Sequence, residues 1–144
     1  MATERSASVV WQGDLMNGSG TIEEAPSGAF GPLDVSWASR AEEPNGKTSP
    51  EELIASAWAA CFSMALSHAL AQGGNAPEKL ETSATVTFQP GEGITKGKLT
   101  VRGTVPGLDD EGFRTAAEDA KANCPVSKAL AGVPDVTVEA SLTQ

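Results

Sequence analysis

The sequence predicts an α+β fold: antiparallel sheets with two main helices, in the order β-β-β-α-β-β-α-β. Three observations carry this. Several short runs alternate apolar and polar residues with the period of two that a half-buried strand requires. Ser49-Pro50-Glu51-Glu52 opens a long apolar segment with the residue types that start a helix. A second acidic group, Asp109-Asp110-Glu111, stands before another helical stretch, where carboxylates meet the positive end of the helix dipole.

Taken in order, Ala7–Trp11 and Gly20–Ile22 are strands flanking a loop with Asn17-Gly18, a strong hairpin signal. Leu33–Trp37 alternates as a third strand, and Arg40–Thr48, with its proline, glycine and mixed charges, is a loop. Ser49 can then cap free amides, Pro50 suits the first helical position, and Glu52 completes a capping box. The helix should run to about Gln72 and stop at Gly73-Gly74. Leu53, Ile54, Ala57, Trp58, Cys61, Phe62, Met64, Ala65 and Leu66 wrap more than one of its faces, which calls for cover from its own sheet and from a second subunit. Two strands follow, Ser83–Phe88 and Leu99–Val105, separated by the turn residues Gln89–Gly93. The second helix spans about Asp109 to Asn123. Pro125 disfavours helical geometry at Cys124 and suits the start of a short helix from Val126 to Leu130, closed by Gly132. Val136, Val138, Ala140 and Leu142 alternate in a last strand.

A chain of 144 residues suggests one domain covering 1–144. Roughly two thirds of the unfolded surface of such a domain is buried on folding, so neither disulfides nor metal are needed. With 40% apolar and 20% charged residues the chain is too apolar for disorder. The 19 acidic against 10 basic side chains, a net charge of −9, argue against nucleic acid and anionic membrane surfaces as partners. The N-terminus, MATERSASVVWQ, lacks the apolar stretch of a signal peptide. Ser56, Ser63, Ser67 and His68 interrupt the most apolar run, Leu53–Leu70, as suits a core helix rather than a membrane span. A soluble, cytoplasmic protein is expected.

Two cysteines 63 residues apart form neither a zinc pattern nor a CxxC pair. Cys61, mid-helix among alanines, is an inert buried thiol unless a nearby cation holds its thiolate. Cys124 has two readings: an N-cap thiol favoured as thiolate by unpaired amides, or an incidental residue at a helix break. His68 lies seven residues from Cys61, about 10 Å along one helix, beyond the reach of a Cys–His dyad. A single histidine argues against a histidine metal site, and no glycine-rich loop precedes a helix to hold a nucleotide; no cofactor or metal is called for.

Three stretches resemble the signatures of the OsmC/Ohr family of osmotically inducible and organic-hydroperoxide-resistance proteins. They are Ser49-Pro50-Glu51-Glu52-Leu53-Ile54, Ala59-Ala60-Cys61-Phe62-Ser63-Met64-Ala65-Leu66-Ser67 and Lys121-Ala122-Asn123-Cys124-Pro125-Val126-Ser127. The order of elements agrees over essentially the whole chain. The resemblance implies an intertwined homodimer with its sites at the subunit interface and a thiol-dependent peroxidase acting on organic hydroperoxides in oxidative and osmotic stress. By position it makes Cys61 the peroxidatic cysteine, Cys124 the resolving cysteine and Glu51 the acid that orients the active-site arginine. Gly13–Gly18, where Ohr-type members carry that arginine, has no cation, whereas Arg40 stands at the OsmC-type position.

The implied reaction begins with a Cys61 thiolate, held by Arg40, attacking the distal peroxide oxygen to leave an alcohol and a sulfenic acid. Cys124 condenses with the sulfenic acid to a disulfide, and an external dithiol reduces it. Phe62, Met64, Trp37 and Trp58 are candidates to line an alkyl site, with ordinary core as their other reading. Ten residues separate Glu51 from Cys61, about 15 Å along one helix. A composite site is therefore expected, with Arg40 and Glu51 supplied by the subunit opposite the cysteines. Three rivals stand beside this reading: a non-catalytic module binding an apolar ligand, a cysteine hydrolase or acyl transferase, and a structural stress-induced dimer with inert thiols.

Overall fold

Two three-stranded sheets, ordered β1-β2-β3 and β4-β5-β6, organise the chain in a computed structural model that describes residues 1–143. The chain divides into two compact units, Met1–Leu53 and Ile54–Gln144. Among the described residues the α+β order expected from sequence is present, together with the short helix expected after Pro125 and one unexpected short helix, Trp37–Ala41.

In the first unit β1 (Val9–Gln12) pairs antiparallel with β2 (Ser19–Ile22), and β2 with β3 (Leu33–Val35). Asp14 shapes the hairpin: its side chain accepts the Asn17 N–H at 2.8 Å and its carbonyl accepts the Gly18 N–H at 2.9 Å. The third strand is shorter than its alternation suggests. It stops at Val35 because Ser36 and Ser39 form a reciprocal capping box that starts α1 (Trp37–Ala41) inside the stretch expected to be strand and loop. The loop after α1 is tied back: Thr48 N–H reaches Asp34 at 2.9 Å, and Ser39 Oγ donates to the Thr48 carbonyl at 2.9 Å. These bonds bring the start of α2 (Pro50–Gln72) beside α1.

Helix α2 is long and apolar enough to cross a membrane by length and composition alone. Its apolar stripe is otherwise engaged. Trp58, Phe62, Leu66 and Leu70 recur at four-residue spacing and enter the core of the second unit with Leu99, Val101, Phe113, Ala117 and Cys124. The opposite side leaves Ala57, Ala60, Met64 and His68 exposed, Met64 to 73%.

β4 (Lys79–Gln89) and β5 (Gly93–Thr104) form a long antiparallel hairpin that turns through Pro90–Glu92, as the glycine and proline there predict. α3 (Asp110–Asn123) and α4 (Pro125–Ala129) then cross over to β6 (Asp135–Leu142). β6 therefore re-enters in the direction of β5 and pairs with it parallel, a departure from the antiparallel sheets expected. Two glycines on β5 admit the largest rings of the core. A Cβ at Gly97 would lie 2.8 Å from a Trp58 ring carbon, and one at Gly103 would lie 2.6 Å from Phe113 Cζ.

Candidate active site

The first unit builds an oriented cation. Arg40 occupies the last turn of α1, and Glu51 the first turn of α2. The Glu51 carboxylate accepts from Arg40 Nε at 3.1 and 3.2 Å and from Nη2 at 2.9 Å, a forked, charge-assisted arrangement that fixes the guanidinium plane. Glu51 is only 6% exposed, while the Arg40 side chain keeps 32% of its surface. One end of the pair is thus buried and the other faces outward. Beside it lies an apolar cavity of about 350 Å³, lined by Trp11, Ile22, Val35, Trp37 and Leu53 with Arg40 at its polar edge.

The second unit brings the two cysteines together. The α3 chain breaks at Cys124, which adopts an extended backbone, ends α3 and caps α4, with Pro125 in the first turn as its position predicts. The half-buried Cys61 thiol meets the Cys124 thiol and the backbone N–H of Val126. Burial pushes the Cys61 thiol up from its ordinary value, and the neighbouring Cys124 sulfur pushes the same way. The Val126 N–H opposes this by donating to the sulfur. Cys124 is fully buried and accepts from the Ser127 N–H at 3.3 Å, with Ser127 Oγ at 3.0 Å; Trp58 Nε1 donates to that same oxygen at 2.8 Å. Both thiols are free.

The four residues considered for an alkyl site separate. Trp37 lines the cavity beside Arg40. Trp58 and Phe62 have no exposed surface and belong to the core, since four-residue spacing puts them on the stripe facing β5. Met64 is exposed in a groove with His68 and the start of β4. Among the described residues no group of three or more His, Cys, Asp or Glu side chains is arranged to hold a metal ion.

The family model of OsmC-like proteins matches residues 43–139. The chain belongs to the OsmC family. The protein named Peroxiredoxin OsmC of Escherichia coli (strain K12) is 39% identical over 133 residues, 90% of this chain and 92% of that protein. Among solved structures, the organic hydroperoxide resistance protein OhrB of Bacillus subtilis superposes with a TM-score of 0.65 at 27% identity, covering 96% of this chain and 98% of that one. An OsmC-like protein from Mycoplasma pneumoniae superposes with a TM-score of 0.74 over all of both chains, and at 16% identity it speaks for the OsmC fold alone.

Around the thiols the structure places Ser127 and the Val126 N–H, both within the third signature stretch, and Trp58, which the sequence offered only as alkyl lining or core. Ser127 left a trace in the sequence, since a hydroxyl residue three after a capping position faces the cap. Trp58 left none, because 69 residues separate it from its partner.

Proposed function

We propose that this chain is a thiol-dependent peroxidase that reduces organic hydroperoxides to alcohols as a cytoplasmic homodimer. The observation that carries the reading is the pairing of Cys61 with Cys124 in one fold unit, both reduced and in contact. The names of the relatives, a peroxiredoxin and organic hydroperoxide resistance proteins, support a peroxidase-type role.

In the proposed cycle the Cys61 thiolate attacks the distal oxygen of the peroxide. The O–O bond breaks, the alcohol leaves with a proton, and Cys61 is oxidised to a sulfenic acid. Cys124 attacks that sulfur, forming the disulfide and releasing water, and an external dithiol returns both thiols. Burial pushes the Cys61 thiol up and so disfavours its thiolate, and the first step therefore calls for a cation. We assign that cation to Arg40, oriented by Glu51, which can also donate to the peroxide and stabilise charge on the leaving oxygen.

Glu51 and Cys61 lie ten residues apart on α2, about 15 Å by helical rise, so the site is drawn as composite. Arg40 and Glu51 come from the subunit opposite the cysteines, and the exposed side of α2 supports burial against a second copy. Trp37 and the cavity beside Arg40 suit the alkyl group; Trp58 and Phe62 have no surface to offer it.

The test is the intact mass of reduced protein after one equivalent of tert-butyl hydroperoxide. Fast loss of two hydrogens per chain is expected, absent in both Cys61→Ser and Cys124→Ser. No mass change would leave a binding module with the family's architecture. Mixing Cys61→Ser with Glu51→Ala protein should regenerate activity in heterodimers, and failure to do so would reject the composite site.

A further inference from the structure

Ser127 joins two fully buried groups: its Oγ lies 2.8 Å from Trp58 Nε1 and 3.0 Å from Cys124 Sγ. An indole N–H can only donate. It therefore occupies one acceptor position of the hydroxyl and leaves the Ser127 proton free to be donated to the sulfur, as it must be when Cys124 is a thiolate with no proton of its own. The Ser127 backbone N–H reaches the same sulfur at 3.3 Å, and that bond alone satisfies the amide that a capping residue must cover. The hydroxyl is therefore surplus to capping α4, yet on a part-buried residue it is held between two fully buried side chains and within reach of Cys124. In such surroundings a hydrogen bond to a charged acceptor is worth more than in water.

We propose that Ser127 is a positioning residue for disulfide formation: its hydroxyl, oriented by the Trp58 indole, holds the Cys124 sulfur toward Cys61 and stabilises the thiolate formed there when the thiol proton is lost ahead of attack. The inference rests on the two-cysteine cycle proposed above. In this step the Cys124 sulfur forms a bond to the Cys61 sulfur as the S–O bond of the sulfenic acid breaks. The oxygen leaves as water, carrying the sulfenic proton and the proton of the Cys124 thiol. Cys124 is oxidised, and the sulfenic sulfur is reduced. Ser127 gives up no proton; its O–H donates to the sulfur while the thiolate stands there, and that charge passes to the leaving oxygen as the S–S bond forms.

The experiment follows the two steps separately in the full-length protein after one equivalent of tert-butyl hydroperoxide. Rapid quenching with dimedone traps the sulfenic acid, and intact mass reports the disulfide. Ser127→Ala should form sulfenic acid at the wild-type rate and convert it to disulfide about ten- to a hundredfold more slowly, the size of one charge-assisted hydrogen bond. Ser127→Thr, which keeps the hydroxyl, should restore the second step to within a few-fold. Trp58→Phe leaves the serine but removes its orienting donor, so it should slow the second step alone and by less; it also serves if Ser127→Ala fails to fold by circular dichroism. Unchanged disulfide kinetics in Ser127→Ala would overturn the inference while leaving the cycle intact. Equal slowing of both steps, with no rescue by threonine, would overturn it in favour of a packing role. Absence of a disulfide in the wild type would remove the cycle and this inference together.

Discussion

Arg40→Ala and Glu51→Gln each remove one charge of the same ion pair, yet the two losses should differ in stability. Arg40→Ala leaves a carboxylate that is 6% exposed and has lost the guanidinium contacts at 2.9, 3.1 and 3.2 Å. Stripping one partner from a fully buried pair costs about 3–5 kcal/mol. The 32% exposure of Arg40 lets water enter the space it vacates, so about 2 kcal/mol is expected here. Glu51→Gln leaves a guanidinium that already faces outward and an amide oxygen that can still accept from it, for about 0.5–1 kcal/mol. The double variant should then regain most of what Arg40→Ala loses, because no buried charge remains. Urea unfolding at one fixed protein concentration measures all three. Equal losses in the two single variants, or a double variant no better than Arg40→Ala, would refute the argument from unequal burial.

Four further outcomes follow, three from the second unit and one from Arg40. Gly97→Ala would set a Cβ 2.8 and 2.9 Å from carbons of the buried Trp58 ring, so thermal unfolding should show a loss of about 1–3 kcal/mol. Leu66→Ala empties a fully buried site between α2 and its sheet and should cost about 2–5 kcal/mol in urea unfolding. Iodoacetamide should modify half-buried Cys61 before fully buried Cys124, as peptide mapping would show. Because burial raises the Cys61 thiol, its thiolate fraction at a given pH lies below that of an ordinary cysteine. If the partner's arginine restores the thiolate, Arg40→Ala should shift the alkylation profile of Cys61 to higher pH, and coincident profiles would deny Arg40 that role.

How much of this was legible in the sequence depends on the distance over which each feature is decided. The start of α2 was readable because serine, proline and two acids act within a single turn. The extended geometry at Cys124 followed from the residue beside it, Pro125. α1 was hidden because the alternation of Leu33–Trp37 runs straight through the point where two serine hydroxyls cap a helix instead. The parallel pairing of β6 was hidden for a different reason. Alternation sets which side chains share a face and says nothing about the direction in which a crossover returns the strand. Trp58, Phe62 and Met64 sit on one readable helix, but which side meets β5 is settled only when the sheet forms; two became core and the third stayed exposed.

The candidate site follows the same rule. Arg40 and Glu51 are eleven residues apart across a loop without regular periodicity, and only the family signature pointed to them before the Thr48 and Ser39 hydrogen bonds were seen to fold that loop back. The thiols depend on contacts over longer spans still, 63 residues from Cys61 to Cys124 and 69 from Trp58 to Ser127. Both spans start on neighbouring turns of α2 and end on α4 or its cap, so the packing that buries Trp58 also sets the spacing of the sulfurs. The thiol pair and the core are therefore one construction. A substitution that moves the Trp58 ring, as Gly97→Ala should, is expected to slow disulfide formation as well as destabilise the fold, and disulfide kinetics unchanged in that variant would separate the two.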